Sequence, residues 1–467
     1  METTLSITGS IARFGSDPSL VPTESARAVA RLSLMDWAAA ALAGLDEPVA
    51  RITRELADEE AGAAQATLFG LARKVPARMA ALANGALSHA LDYDDTHFAY
   101  VGHPSVAILP AALAVAERQG ASAAAFLDAA LIGMEAACRI GHWLGTQHYN
   151  HGFHQTATSG CFGATVAAGR LMGLDTAAMR QALGIATTRA SGLKSQFGTM
   201  GKPFNAGIAA ANGVEAALLA ARGFVSRPDG LECLQGFGET HAGERTDLAG
   251  ALAGLGNDFW FEQVQHKFHA CCHGLHAGLE ALAALKAAHH LQPGSIAGVT
   301  ITINPRWLRV CNIASPTTGL EAKFSYRLTT AMALAGVETA ALQTYSDAIC
   351  SRPDLMALRD RVVVRGDASL PDTAARVALQ HTDGRALDGA FDLDQPMPLS
   401  QRRERIAAKV RSLLAPQAAE AILALDSGLG RLGAIQVAET LGRLALSHPC
   451  AAVMSPASSD RSSHASA

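Results

Sequence analysis

The acidic and imidazole side chains of this chain are concentrated in one short segment, residues 91–105. The chemistry-bearing members of the segment are Asp92, Asp94, Asp95, Thr96, His97 and His103. Carboxylates spaced this closely repel one another unless they cap a helix, bind a cation or support a base. His103 is followed by Pro104, which predicts a helix entrance where free backbone N–H groups attract a carboxylate ligand. The segment predicts acid–base chemistry on an anion, although each aspartate taken alone is as well explained as a helix cap.

A second segment, residues 148–154, is rich in histidine. His154 follows shortly after Gly152, and glycine permits a turn that aims this imidazole inward. His148 and His151 are typical of a solvent-exposed loop. We therefore expect His154 to be the site residue of this segment.

Lys202 begins another predicted helix, in the segment Gly201-Lys202-Pro203. A lysine at a helix start binds an anion through its ammonium group and through the free N–H groups beside it. The nucleotide-binding pattern GxxxxGK[ST] is not met, because Pro203 stands where Ser or Thr is required. Lys202 thus predicts an anion site that is not a nucleotide-binding loop.

A fourth segment holds the remaining cluster of candidate ligands. Its members are His266, Lys267, His269, Cys271, Cys272, His273 and His276. His269, His273 and His276 would share one face of a helix, so a transition-metal site with the acidic segment as partner has to be weighed. Neither HExxH nor paired CxxC occurs here. We expect no metal.

Composition narrows the class of partner. The chain has 467 residues, of which 49% are hydrophobic and 17% charged, with a formal net charge of −4. There is no basic footprint for nucleic acid and no basic amphipathic segment for a membrane surface, so the expected partner is a small molecule. The cysteines are scattered, and the first residues lack a basic region followed by an apolar run, which favours a cytoplasmic location.

The elements that must position these segments are mainly helices. Apolar periodicity, proline starts and glycine stops predict helices over 22–44, 77–91, 104–119, 122–140, 158–172, 176–187 and 205–222. Their alanine- and glycine-rich faces predict a compact bundle. Further on, β-branched runs predict strands around 299–303, 362–364 and 377–380, with helices over 274–290 and 324–335; helix returns over 400–414 and 416–446.

The predicted fold is mainly α. A large all-helical bundle domain is expected from both chain ends, residues 1–266 and 400–450. A smaller α+β domain, residues 267–399, is inserted between them. The Ser-rich stretch 451–467 has too little apolar content to pack and is expected to be a disordered tail.

As an ordered series, these motifs resemble the MmgE/PrpD family. The motifs are Leu91-Asp92-Tyr93-Asp94-Asp95-Thr96, His103-Pro104-Ser105, Gly152-Phe153-His154, Gly201-Lys202-Pro203, Lys267-Phe268-His269-Ala270-Cys271-Cys272 with His276, and Ala322-Lys323-Phe324-Ser325. The resemblance implies a helical domain of two chain ends, an α+β domain between them, an active site in the cleft, a homodimer and no metal or organic cofactor. By position, it implies active-site roles for Asp92, Thr96, His103, His154, Lys202 and His276.

The family includes 2-methylcitrate dehydratase, cis-aconitate decarboxylase and iminodisuccinate epimerase. Chemistry beside a carboxylate needs a positioned base and cations that stabilise the developing charge. Histidine suits the first role, with His103 expected to move a proton, and Lys202 suits the second. Asp92 is expected to orient an imidazole, whereas Asp94 and Asp95 are expected to be structural.

Two departures from the family pattern bear on the substrate. Val106 follows His-Pro-Ser where the dehydratases have an acid, and His269-Ala270 replaces an aromatic residue and proline. His269 and His273 are therefore expected to bind substrate together with Thr96. The preferred function is a cofactor-independent epimerase of an iminodisuccinate-like dicarboxylate. The alternatives are a lyase of the methylcitrate or aconitate type, and a non-catalytic carboxylate-binding scaffold.

Overall fold

The structure, a computed structural model, describes residues 6–242 and 248–448. Helices of the first part are α1 Ile7–Ser16, α2 Glu24–Ala43, α3 Pro48–Glu60, α4 Ala77–Ser88, α5 Pro104–Gln119, α6 Ala123–Asn150, α7 Gln155–Leu171, α8 Thr176–Thr187, α9 Gly201–Ala220, α10 Phe237–Ala242 and α11 Leu248–Leu252. The expected disordered tail, 451–467, lies outside the described residues.

The second part of the chain mixes helices and strands. Its elements are α12 His276–His289, β1 Ile296–Ile303, α13 Gly319–Ala322, α14 Tyr326–Leu334, α15 Asp347–Cys350, α16 Pro353–Arg359, β2 Val362–Gly366, β3 Ala374–His381 and β4 Ala386–Asp392. Helices α17 Leu399–Leu413, α18 Pro416–Gly428 and α19 Ala434–Leu446 follow. The predicted mainly α fold with a smaller α+β part is confirmed.

The strands form one sheet in the order β2-β1-β3-β4. β1 is parallel to β2 and antiparallel to β3, with Ile301 opposite Val364 and Val377. Along β1, Ile296, Val299, Ile301 and Ile303 are buried, which is the alternation expected of a strand with one covered face. Helix α12 packs against β3 and β4 on that face and so fixes the position of its first residue, His276.

Two hydrophobic cores are formed by the residues that the structure describes. The larger joins buried side chains of residues 7–264 to those of residues 406–445, and the smaller lies within residues 270–379, with Tyr93 added to it. A buried ion pair of 2.6 Å between Lys409 and Asp36 ties α17 to α2. The last helices therefore pack on the bundle formed by the first ones.

Local signals account for where the helices begin and end. α5 and α8 have the predicted bounds, because Pro104 and the Asp175 cap start them and left-handed Gly120 ends α5. The predicted helix 416–446 is instead two helices, separated at a glycine-containing turn, Leu429–Arg431. Helix α6 is longer than predicted and continues to Asn150 past a kink at Gly145.

No single helix among residues 6–242 and 248–448 is both long and apolar enough to cross a membrane, although α2 and α3 pass that test as a pair bent by 87°.

Candidate active site

Four helix ends meet at one point of the bundle. His89 caps the end of α4, His103 and His154 stand at the N-caps of α5 and α7, and Lys202 lies in the first turn of α9. The N-terminal turns of three helices thus converge, each with free N–H groups and a positive dipole end. This geometry favours a bound anion.

Close helix packing makes this convergence possible. A Cβ atom on Gly207 of α9 would lie 2.2 Å from the carbonyl oxygen of Leu82 in α4, and one on Gly85 would lie 2.9 Å from the Gly207 Cα. Such contacts exclude any larger residue. The glycine pair therefore sets the distance between α4 and α9, and with it the distance between His89 and Lys202.

Asp92 is the centre of an ionic cluster. Its Oδ2 lies 2.7 Å from Lys202 Nζ and its Oδ1 lies 3.0 Å from Lys267 Nζ, which also donates to the Asp92 carbonyl at 2.6 Å. Burial raises the pKa of Asp92, but the two ammonium groups outweigh it and hold this pKa well below the usual range. Asp92 also has a left-handed backbone, φ 51°, a strained conformation typical of functional positions.

Asp94 makes the closer carboxylate contact with the imidazole of His103. Its Oδ1 bonds His89 Nδ1 at 2.8 Å, and its Oδ2 lies 2.8 Å from His103 Nδ1. Burial raises the pKa of Asp94, but the two imidazoles hold it well below its usual range, so the carboxylate stays ionised. The imidazole-orienting role expected of Asp92 stays a prediction, since Asp92 Oδ1 lies 3.6 Å from the His103 ring and the closer carboxylate contact is made by Asp94.

His103 presents its other nitrogen to the ionic cluster. Nε2 lies 3.6 Å from Asp92 Oδ1, beyond hydrogen-bond range. With Nδ1 facing a carboxylate, the proton of the neutral ring is placed on Nδ1 and the lone pair on Nε2. Burial, which outweighs the nearby Asp94, lowers the pKa of His103 to about 4. At neutral pH His103 is therefore a base that faces the two lysines.

Asp95 bonds the start of α5, and the structural role expected of it stays a prediction. Its carboxylate accepts from the Ser105 backbone N–H at 3.2 Å and from the Ser105 hydroxyl at 2.6 Å. These bonds satisfy the first turn of α5. Nearby, the backbone of Thr96 pairs with that of Gln265, which holds the acidic segment against the segment that carries Lys267.

Histidines of the fourth segment form a second group beside the first. Thr96 Oγ1 lies 2.6 Å from His273 Nδ1, and the Nε2 of His273 is buried with no hydrogen-bond partner among the described residues. His276 contacts His273, with ring centroids 4.8 Å apart, and its Nε2 lies 3.3 Å from the Cys271 carbonyl. The structure thus places Thr96 and His273 in contact with each other, and it places His276 against His273.

The structure gives His269 other partners. Its Nδ1 lies 2.7 Å from Thr339 Oγ1 and its Nε2 lies 3.2 Å from Glu280, so both ring nitrogens are engaged within the protein. These contacts favour a structural role. Substrate binding by His269 stays a prediction.

His154 lies beside His89. It is buried, its ring is stacked on that of His89 at 6.1 Å, and its Nδ1 lies 3.3 Å from Asn205 Nδ2. Burial, followed by the charge of neighbouring His89 and Lys202, holds its pKa well below the usual range. His148, expected to be exposed, is instead fully buried and bonds Thr158 at 2.8 Å, because α6 continues through it.

One group of side chains in the described part of the chain could hold a metal ion. Its ligand atoms, from His89, Asp92, Asp94 and His103, lie within 4.8 Å of one another. Two ammonium groups already contact Asp92 at 2.7 and 3.0 Å, so a cation would meet strong repulsion there. This charge balance favours an anionic ligand.

Sequence reasoning did not assign three residues that the structure brings into the site. Lys267 is only 2% exposed and pairs with Asp92, while His89 and Asp94 support His103. The signal for Lys267 was a lysine inside an otherwise buried motif, since lysine is almost never buried without a partner. The signals for Asp94 and His89 were their positions, Asp94 within the acidic segment and His89 at the end of the helix predicted over 77–91.

The fold and site define this chain as a member of the MmgE/PrpD family. The N-terminal domain of that family matches residues 11–247, and its C-terminal domain matches residues 269–427. The resemblance inferred from the motifs is confirmed.

Among relatives, the chain is similar to cis-aconitate decarboxylases. It is 30% identical over 287 residues to the cis-aconitate decarboxylase-like protein oryM of Aspergillus oryzae. The matched region covers 58% of this chain and 59% of that protein. It is 33% identical over 239 residues to the cis-aconitate decarboxylase of Aspergillus terreus, covering 48% of each chain. With the Homo sapiens cis-aconitate decarboxylase it is 34% identical over 174 residues, or 36% of each. The matched part spans about half the length of the first two relatives.

Proposed function

We propose that this protein is a lyase that removes one carboxyl group from a small polycarboxylate of the cis-aconitate type, without a metal or organic cofactor. The decarboxylase names of its relatives favour this lyase alternative over the epimerase preferred from the sequence. The observation that carries the proposal is the pairing of Asp92 with two lysines directly beside His103 Nε2.

Asp92 marks where a substrate carboxylate would bind. It is 33% exposed, whereas Lys267 behind it is 2% exposed, so a ligand reaches the lysines from the side of Asp92. A substrate carboxylate competes for the same ammonium groups, and the convergent helix N-termini stabilise further carboxylates. This set of cations suits a di- or tricarboxylate better than a neutral ligand.

Decarboxylation then requires charge stabilisation and one proton. When the C–C bond to the departing carboxylate breaks, CO2 leaves, and the electron pair delocalises toward the remaining double bond and carboxylate, where Lys202 and Lys267 stabilise it. A carbon atom must then be protonated. Binding of a polyanion adds negative charge beside His103 and favours its imidazolium form. The substrate thus promotes protonation of His103, which then donates the proton to carbon.

The test is incubation with cis-aconitate in D2O, followed by NMR of the products and by measurement of CO2. We expect CO2 and a product with one deuterium on the newly protonated carbon. His103→Gln should fold normally and lose turnover, because it removes the proton donor. Net dehydration or hydration without CO2 would contradict decarboxylation.

The same measurement separates the other candidates. Deuterium exchange into iminodisuccinate without a net product would identify an epimerase instead. Binding of these carboxylates without exchange or turnover would identify a scaffold. Each outcome differs from CO2 release in its product, so a single set of spectra decides between them.

We also propose that the working form is a homodimer, as the family resemblance implies. Sedimentation equilibrium of the purified full chain tests this, and a monomer across the concentration range used in the assay would contradict it.

A further inference from the structure

We propose that Cys272 and Cys311 form a peroxide-sensitive dithiol beside the active site, and that a disulfide between them lowers turnover. The two Sγ atoms lie 3.1 Å apart, and the Cys311 thiol donates toward Cys272. The effect on turnover rests on the proposed function. Formation of the bond does not.

Cys272 is the more reactive member of the pair. It is half-buried, whereas Cys311 is fully buried. The S–H bond from Cys311, followed by a backbone N–H bond from Gly274 and the charge of Lys267, lowers the pKa of Cys272 in spite of its burial. Because the thiolate is the nucleophile, oxidation is expected to begin at Cys272.

Cys311 is placed to complete the reaction. Donation to Cys272 and burial raise its pKa well above the usual range, so it stays a thiol until Cys272 is oxidised. Cys271, the sequence neighbour, does not compete, because burial raises its pKa to about 12. The pair thus has one attacking and one resolving cysteine, which is the arrangement of redox-sensitive dithiols.

The oxidant is hydrogen peroxide, which is small enough for a half-buried thiol. The Cys272 thiolate attacks one peroxide oxygen, the O–O bond breaks, and a sulfenic acid and hydroxide result; the hydroxide takes a proton and becomes water. The Cys311 sulfur then attacks the sulfenic sulfur, the S–O bond breaks, and the hydroxyl leaves with the Cys311 proton as a second water. Two thiols are oxidised and one peroxide is reduced.

The disulfide would displace the histidines of the fourth segment. The sulfurs must approach by roughly 1 Å to bond, and Cys272 directly precedes His273, whose Nδ1 lies 2.6 Å from Thr96 Oγ1. A misplacement of about 1 Å near a reacting centre costs about 100-fold in rate. We therefore expect the oxidised protein to lose at least tenfold in kcat.

The experiment exposes the purified full chain to hydrogen peroxide and maps its peptides without reduction. We expect a Cys272–Cys311 linked peptide, an intact mass lower by two hydrogen atoms, and recovery of activity with dithiothreitol. Because the linkage is read by mass, it is tested even if cis-aconitate is not turned over. Absence of the linked peptide from peroxide-treated protein would overturn the proposal.

Matched variants separate the roles of the two cysteines. In Cys311→Ser, Cys272 has no resolving thiol, so prolonged peroxide should carry it to a sulfinic acid that dithiothreitol does not reverse. Cys350→Ser, a buried cysteine of the same core, should behave as wild type. Reversible inactivation of Cys311→Ser to the same extent as wild type would refute the resolving role.

Discussion

Replacement of Asp94 by asparagine tests the central feature of the site. Asp94 contacts two imidazoles: its Oδ1 accepts a hydrogen bond from His89 Nδ1 at 2.8 Å, and its Oδ2 lies in close electrostatic contact with His103 Nδ1, also at 2.8 Å. The asparagine side chain has the size of the aspartate, but an N–H2 donor replaces one of the two acceptor oxygens. One of the two imidazoles must therefore lose its contact with an acceptor oxygen or change its tautomer. If the tautomer of His103 changes, its Nε2 carries the proton in the free enzyme, and no carboxylate then stabilises the imidazolium that protonates the product carbon.

The expected magnitude follows from the charge lost. The charge centre of an imidazolium lies about 4 Å from the carboxylate, and two unit charges at that distance interact by about 4 kcal/mol at an effective dielectric constant of about 20. That energy corresponds to a decrease in kcat of about 1000-fold, at 1.36 kcal/mol per tenfold. It also lowers the proton affinity of His103, so the upper pH limit of kcat should move toward acid by up to about three units.

The assay is steady-state decarboxylation of cis-aconitate between about pH 5 and pH 9, the interval in which the imidazolium of the substrate complex is expected to titrate. Circular dichroism and thermal unfolding verify the fold. Asp95→Asn is the matched control, since Asp95 is buried next in sequence but bonds Ser105. It should lower Tm and change kcat little. A folded Asp94→Asn variant with kcat within threefold of wild type and an unchanged pH profile would refute the assigned role.

Three further predictions concern binding, pH and packing. Lys267→Met should raise KM about 10- to 100-fold, as a charge-assisted hydrogen bond is lost, and an unchanged KM would remove Lys267 from the binding site. Burial lowers the pKa of His97 to about 4, so between about pH 4 and pH 6.5 the folded state binds fewer protons than the unfolded state. The contribution of His97 to the free energy of unfolding is therefore complete above about pH 6.5 and falls by about 3 kcal/mol as the pH decreases toward 4. In urea unfolding, His97→Gln should lose less stability than wild type over this pH range. Gly207→Ala should lower the free energy of unfolding by about 1–3 kcal/mol and reduce kcat, because its Cβ would lie 2.2 Å from a backbone carbonyl oxygen. Gly294→Ala is the control, since a Cβ there would meet open space. Equal Tm values for the two variants would contradict the packing argument.

Local chemistry explains which parts of the fold could be predicted. The bounds of α5 and α8 follow from residues at their own ends, Pro104 and Asp175, because caps act over one turn. The burial of His148 was missed because it depends on Phe153 and the His241 carbonyl packing around it. Contacts of that kind leave no periodic signal in the sequence.

The family, the mainly α fold with a smaller α+β part, and the residue types of the site could all be predicted from the amino-acid sequence. Motif order and hydrophobic period are properties of the chain and need no coordinates. Which carboxylate contacts which partner could be seen only in the folded structure. Asp92 meets Lys267 across 175 residues, and Asp94 rather than Asp92 supports His103, because both contacts depend on how two helix ends and two cores pack together. Side chains two residues apart can therefore have different roles that spacing alone does not distinguish.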